Sequence, residues 1–208
     1  MNPLRFTLLS DGSSDRVLLP LLEWLLSENS SRAFQPQWAD LRILQAPPRT
    51  LAERVRTAVQ FYPCELLFIH RDAEREPREV RVREIQQQLG ILAAPAICIV
   101  PVRMQEAWFL FDEKALRKAA GNPNGRTTLT LPGFDEIERL PDPKELIYEI
   151  LRQASELPSR RLRGFDPARA IHRLADLIDD FSPLRALPAF QALENDVQAL
   201  LAERSWRA

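Results

Sequence analysis

An α/β fold, with a parallel sheet of about four strands flanked by helices and a C-terminal helical lobe, is predicted by three features of the sequence. Short apolar runs alternate with stretches of helical period through roughly the first 120 residues. Two of those runs, CELLFIH (64–70) and AICIVPV (96–102), have almost no polar interruption, as strands covered on both faces require. After residue 120 the apolar runs give way to helical segments introduced by proline.

Taken in order, LRFTLL (4–9) is the first strand and stops at the turn sequence SDGSSD. DRVLLPLLEWLLSE follows with apolar residues at helical spacing and Ser14 or Asp15 as N-cap; Pro20 fits only if the first turn starts late. WADLRIL (38–44) alternates like a strand, and TLAERVRTAVQFY (50–62) returns to the helical period. CELLFIH is the third strand, PREVRVREIQQQLG a polar helix closed by Gly90 at C′, and AICIVPV the fourth strand. QEAWFLFDEKALRKAA reads as one or two helices. The segment from Gly121 to Lys144 is a loop with a short strand at TTLTL. Three helices then follow in PKELIYEILRQASE, DPARAIHRLADLIDD and SPLRALPAFQALENDVQALLAE, with Pro143, Pro167 and Pro183 near N1. The expected division is an α/β domain over 1–120 and a helical lobe over 121–208 packed on it.

The 208 residues, 45% of them hydrophobic, suffice for one substantial core. With 28 Lys+Arg against 29 Asp+Glu, overall charge makes no case for nucleic acid or a membrane surface, while leaving room for a local basic groove. Cys64 and Cys98 sit in apolar runs without metal-ligand spacing and read as buried thiols of a reduced compartment. No apolar stretch approaches the ~20 residues of a membrane span, so a cytoplasmic protein without a membrane partner is expected. Neither a hydrolytic triad nor a P-loop is present.

Ligands of parallel α/β sheets bind beyond the carboxyl ends of the strands. Four acids fall there: Asp11 after the first strand, Asp72 and Glu74 after the third, and Glu106 after the fourth. Asp15 is a fifth, one turn into the first helix. Carboxylates suit hard cations, and Mg²⁺ usually takes one or two of them plus water and substrate phosphate. Alternate residues leaving a strand point to one side, so Asp72 and Glu74 are expected to face one ion. The competing readings are structural: a helix cap for Asp15, an Asx-turn for Asp11 and a first-turn helical position for Glu106. His70 reads as a satisfied strand-end histidine, and His172 as a surface or inter-lobe residue beside Arg169 and Arg173. Arg160, Arg161 and Arg163 in LPSRRLRGF match the donor geometry that phosphate needs, with a solvated loop as the alternative. Arg71 and Arg103 adjoin the acids and either neutralise them or contact phosphate.

These stretches resemble the Toprim fold of topoisomerases, DnaG-type primases and OLD-family nucleases. That module has E-G-x-x-D/E after its first strand and D-x-D after its third; the matching stretches here are Asp11-Gly12-Ser13-Ser14-Asp15 and Asp72-Ala73-Glu74. More narrowly, RDAE (71–74), VPVRMQEAWFLFD (100–112), PKELI (143–147) and FDPARAIHRLADLIDDFSPLRALPAFQALENDV resemble the bacterial Toprim-like family called domain of unknown function 4276. The resemblance implies a subunit that cleaves phosphodiesters with Mg²⁺ or Mn²⁺, acts on nucleic acid, and works with an ABC-type ATPase in anti-phage defence. By the same carry-over, Asp11 takes the general acid/base position, Asp72 and Glu74 bind metal, and Glu106 has a further metal or catalytic role. Asp11 stands where the pattern has glutamate, and Glu74 where it often has aspartate. A non-catalytic regulatory or assembly subunit is the alternative that the Asp11 exchange motivates.

Overall fold

In the computed structural model, which describes residues 3–90, 92 and 94–207, four strands form one parallel sheet. They are β1 (Leu4–Leu9), β2 (Phe34–Trp38), β3 (Leu66–His70) and β4 (Ala96–Ile99), in the order β2-β1-β3-β4. Phe6 lies opposite Pro36 on one side and Leu66 on the other, and Leu67 opposite Ala96. The switch in strand order between β1 and β3 is where doubly wound sheets open a crevice at their carboxyl edge.

Strand periodicity explains why both faces are apolar. Phe6, Leu8, Leu66, Phe68, Ile97 and Ile99 face one layer of helices, while Leu9, Leu67, Ile69 and Cys98 face the other. The second layer consists of α2 (Leu51–Phe61) and α3 (Arg78–Leu89), which contribute Val55, Ala58 and Ile85. Helix α2 opens with a reciprocal capping box between Thr50 and Glu53, and α3 closes on Gly90, whose φ of 59° a side chain rarely adopts.

The first layer is larger. It begins with a 3-10 turn (Ser14–Val17) that runs into α1 (Leu18–Asn29), so Pro20 falls in the first helical turn, where its missing N–H costs nothing. A 3-10 segment (Gln105–Phe109) and α4 (Glu113–Ala119) follow β4, then α5 (Phe134–Ile137), α6 (Pro143–Ser155), α7 (Ser159–Leu162), α8 (Pro167–Leu174) and α9 (Pro188–Glu203). Asp142 and Asp166 cap α6 and α8, each accepting a backbone N–H three residues on, with proline at N1. Ile147, Leu151, Ile171, Leu174, Leu193 and Val197 join the same buried cluster as Phe6 and Phe68. Trp108, fully buried, meets Phe190 edge-on at 5.6 Å and so ties the segment after β4 to α9.

Several expected elements differ. The second strand is 34–38, not 38–44: Asp40 accepts the Arg42 N–H and folds Leu41–Ile43 into a 3-10 turn, while FQPQW pairs with β1. Pro36 is tolerated because β2 is an edge strand. TTLTL forms no strand. The last helix starts at Pro188, after a separate 3-10 turn over Ser182–Ala186, and the helix from Pro167 passes into a 3-10 turn over Ala175–Leu177. Cys64 and Cys98 are free thiols; burial pushes Cys98 up to about 11. No described helix is long and apolar enough to cross a membrane.

Candidate functional site

Three strand ends deliver acids to the carboxyl edge of the sheet, and the structure divides them into two groups. Asp15 and Glu106 are buried, with side chains 9% and 6% exposed, whereas Asp11 and Glu74 are 49% and 72% exposed. Asp72 lies between them at 29%.

The buried group is organised around His70, the last residue of β3. Its Nδ1 lies 3.3 Å from Asp15 Oδ2 and its Nε2 3.3 Å from Asp72 Oδ1. Neither contact is directed well enough for a hydrogen bond, so the attraction is chiefly ionic. Burial alone would push the imidazole pKa down, but the two carboxylates outweigh it and raise it to about 9. His70 is therefore a fixed cation at neutral pH. Asp15 shows the reciprocal effect: burial raises its pKa, but His70, the Gly12 N–H and the Ser14 hydroxyl bring it down to about 2.

Gln105 links the two acids. Its backbone N–H donates to Asp72 Oδ1 at 2.8 Å and its side-chain amide to Asp15 Oδ1 at 2.9 Å. The Gly12 N–H donates to Asp15 Oδ2 at 2.9 Å, which folds the DGSSD turn back onto its own last residue. Asp15 is thus a buried anchor as well as a first-turn acid. Glu106, next along from Gln105, is held up in pKa mainly by burial; Lys144 Nζ, 3.7 Å away at the start of α6, pulls it down, while Asp72 and Asp15 push it further up. Asp72 and Glu106 are therefore close enough for their charges to act on each other.

The exposed acids have other partners. Asp11 forms an ion pair with Arg54 of α2 and lies 3.4 Å from Arg71 Nε; Arg54 also donates to the Ser10 carbonyl. Glu74 lies 3.8 Å from Arg81 Nη2 of α3. The expectation that Asp72 and Glu74 face one ion is corrected here. Glu74 adopts a left-handed conformation with φ of 57°, which breaks the strand alternation and turns its side chain toward α3. Arg103 is also left-handed, at φ 63°, and its carbonyl accepts the Glu74 N–H at 2.9 Å. Two strained residues at the ends of neighbouring strands thus hold each other in place.

Among the described residues, no three Asp, Glu, His or Cys side chains converge on one ion position. The five expected ligand and catalytic acids do not form a single cage. What remains at the edge is Asp72, whose Oδ2 accepts no hydrogen bond from the described residues, and buried Glu106, whose pKa the Asp72 charge helps to raise. Two carboxylates with the other positions left to water and phosphate is the donor set Mg²⁺ ordinarily takes, so the chemistry of this pair fits the ion. Next to Asp11, a cavity of about 210 Å³ is lined by Trp38, Arg42, Arg49 and Arg54, with the Arg42 guanidinium 5.0 Å above the Trp38 ring.

Of the expected basic residues, Arg71 reaches Asp11, while Arg103 makes no ion pair among the described residues. Arg160 and Arg161 lie in the α7 turn, with Arg163 just after it, and none of the three forms an ion pair among the described residues. His172 is exposed on α8. Gln105, Lys144, Arg54 and Arg81 were not singled out from sequence. Gln105 adjoins Glu106 in the sequence, whereas the others lie on helices whose approach to the edge no local pattern signals. No protein-family model, curated protein or solved structure matches this chain.

Proposed function

We propose that this protein is the metal-dependent, phosphodiester-cleaving subunit of a Toprim-type nuclease, working with an ABC-type ATPase in anti-phage defence. The observation that carries the reading is that Asp72, after β3, and buried Glu106, in the segment after β4, lie near enough for the Asp72 charge to raise the Glu106 pKa. Glu106 is buried, and Lys144 is the one cation within ion-pair reach of it among the described residues. A buried carboxylate beside a second carboxylate is unfavourable unless a cation joins them.

Asp72 and Glu106 are the residues that would hold Mg²⁺ or Mn²⁺. Such an ion, when bound, stabilises negative charge on the oxygens of a phosphodiester. His70 and the Gln105 N–H hold Asp72 Oδ1 and leave Oδ2 without a hydrogen-bond donor among the described residues. Asp15 does not serve as a ligand in this reading: both of its oxygens are taken by Gly12, Ser14, Gln105 and His70. Lys144, 43% exposed, and Arg103 supply positive charge for the phosphate itself. Asp11 is an ion-paired surface carboxylate and holds no place in the reacting group as arranged.

The test is cleavage of plasmid or oligonucleotide with Mg²⁺ or Mn²⁺, with and without the ATPase. Asp72→Ala and Glu106→Ala are each expected to abolish cleavage, and activity surviving both removes the assignment. A second reading, a Toprim-derived regulatory or assembly subunit without turnover, is favoured by one observation: Asp11, at the position where the resemblance implies the acid/base residue, is tied to Arg54 and Arg71. It predicts no Mg²⁺ binding that depends on Asp72 in a calorimetric titration.

A further inference from the structure

We infer that the concave surface between α7 and α8 is a second anion site, which holds backbone phosphates of a nucleic acid strand while that strand reaches the sheet edge. Residues 157–173 contain five arginines and a single acid, Asp166, in a chain whose formal net charge is -1. Folding brings three of the five together. Arg161, from α7, and Arg169 and Arg173, from one face of α8, line a pocket of about 340 Å³ together with Asp166, Phe165 and Leu157.

None of these three guanidiniums takes part in an ion pair among the described residues, although the chain forms arginine–carboxylate pairs elsewhere, as at Arg54, Arg81, Arg117 and Arg185. The neighbouring acids are already committed. Asp166 accepts the Arg169 backbone N–H as the cap of α8. Glu156 accepts the backbone N–H groups of Arg126 and Thr127. Three guanidiniums against the single Asp166 carboxylate leave the concavity net positive, which suits an anion, and guanidinium forks match phosphate geometry.

The pocket also stands in a defined relation to the sheet edge. Helix α6 carries Lys144, beside Glu106, in its first turn and ends beside the pocket, where Leu157 follows it. Its 13 residues span about 20 Å, roughly six nucleotide steps. Helix α8 packs against the 3-10 turn that carries Asp15. A strand lying along α6 would span both places, and Arg160 and Arg163, exposed in and just after α7, add positive charge near the pocket in the chain. A single phosphate is satisfied by two arginine forks, so five arginines in an open arrangement fit a polyanion better than a small ligand.

This inference rests on the nuclease reading for its ligand, and its test is kept separate from cleavage. Binding of a labelled oligonucleotide of about 20 nucleotides is measured by anisotropy in EDTA across a salt series. Arg161→Ala/Arg169→Ala/Arg173→Ala is expected to weaken binding at least ~10-fold at ~0.1 M salt and to make the slope of log affinity against log salt shallower by about 2 to 3. The control is Arg56→Ala/Arg83→Ala/Arg204→Ala, which removes the same charge from exposed positions elsewhere. All six arginines are exposed, so folding is expected to survive. Equal affinity and slope in the two triple variants overturns the site, and so does displacement by polyglutamate as effective as by unlabelled oligonucleotide, which assigns the surface to an acidic protein. If the wild type cleaves but the pocket variant binds like the control, only this inference fails. If the wild type binds through the pocket yet never cleaves, only the nuclease reading fails.

Discussion

Asp11 and Asp15 are four residues apart, and Asp72 and Glu74 only two, yet each pair is split between opposite environments. Asp15 and Asp72 meet a buried histidine and a shared glutamine, and both Asp15 oxygens and one Asp72 oxygen, Oδ1, are held by backbone or side-chain donors. Asp11 and Glu74 point outward and are met by arginines from α2 and α3. The inner group is part of the folded core, because removing any member leaves a buried polar atom without a partner. The outer group consists of surface ion pairs, which exchange partners at little cost. Nearness in sequence to a metal-site pattern therefore did not decide which acids share a site.

The largest expected effect that separates the two groups is on folding stability. Asp15→Ala strands His70 and Gln105 in the interior and is expected to cost about 3–5 kcal/mol in urea unfolding, whereas Asp11→Ala costs about 1 kcal/mol or less. Equal losses would erase the distinction. Next in size is cation binding. Asp72→Asn and Glu106→Gln should each weaken calorimetric Mg²⁺ affinity by ~10²-fold or more, and Asp11→Asn and Glu74→Gln by no more than ~10-fold. A larger effect at Asp11 than at Glu106 would return Asp11 to the reacting group.

Stability against pH gives an intermediate and signed effect. His70 has a folded pKa of about 9 against an ordinary 6.5, so its contribution is complete below pH 6.5 and is lost as pH rises through 9. Asp15 goes the other way: lowered from 3.8 to about 2, it contributes fully above pH 3.8 and loses that contribution as pH falls through 2. These two groups predict a stability plateau between about pH 4 and 6.5. His70→Gln should flatten the alkaline decline, and an imidazole found by NMR to titrate near 6.5 would dissolve the buried network.

The smallest effect tests the backbone difference between neighbours. Glu74 occupies a left-handed conformation that glycine adopts freely, so Glu74→Gly should stabilise the fold by about 0.5–1 kcal/mol. Asp72→Gly should destabilise it, since the Gln105 N–H loses its acceptor and His70 a counter-charge. Thermal unfolding of the two variants in parallel reads the opposite signs.

Much of the fold was legible because its determinants are local. Apolar runs at 64–70 and 96–102 announced buried parallel strands, Gly90 announced a helix end, and the Asp-Pro pairs at 142–143 and 166–167 announced helix starts. The error at 38–44 arose where two local signals compete: the alternation of WADLRIL reads as strand, but Asp40 caps a tight turn through its own side chain, and the strand falls on FQPQW despite its proline. Pairing along an edge overrode propensity there.

For the site, the sequence by itself determined which acids stand at the carboxyl ends of which strands, because order along a parallel sheet already sets that. Only the tertiary structure decided which of them face one another. Arg54 reaches Asp11 from 43 positions away, Gln105 reaches Asp15 from 90, and the left-handed turn at Glu74 is held by a carbonyl of the neighbouring strand's loop. The same holds for the arginine pocket, where Arg161 of α7 shares one concavity with Arg169 and Arg173 of α8. Ion pairs and hydrogen bonds between distant segments depend on how helices approach the sheet, and no window of sequence carries that geometry.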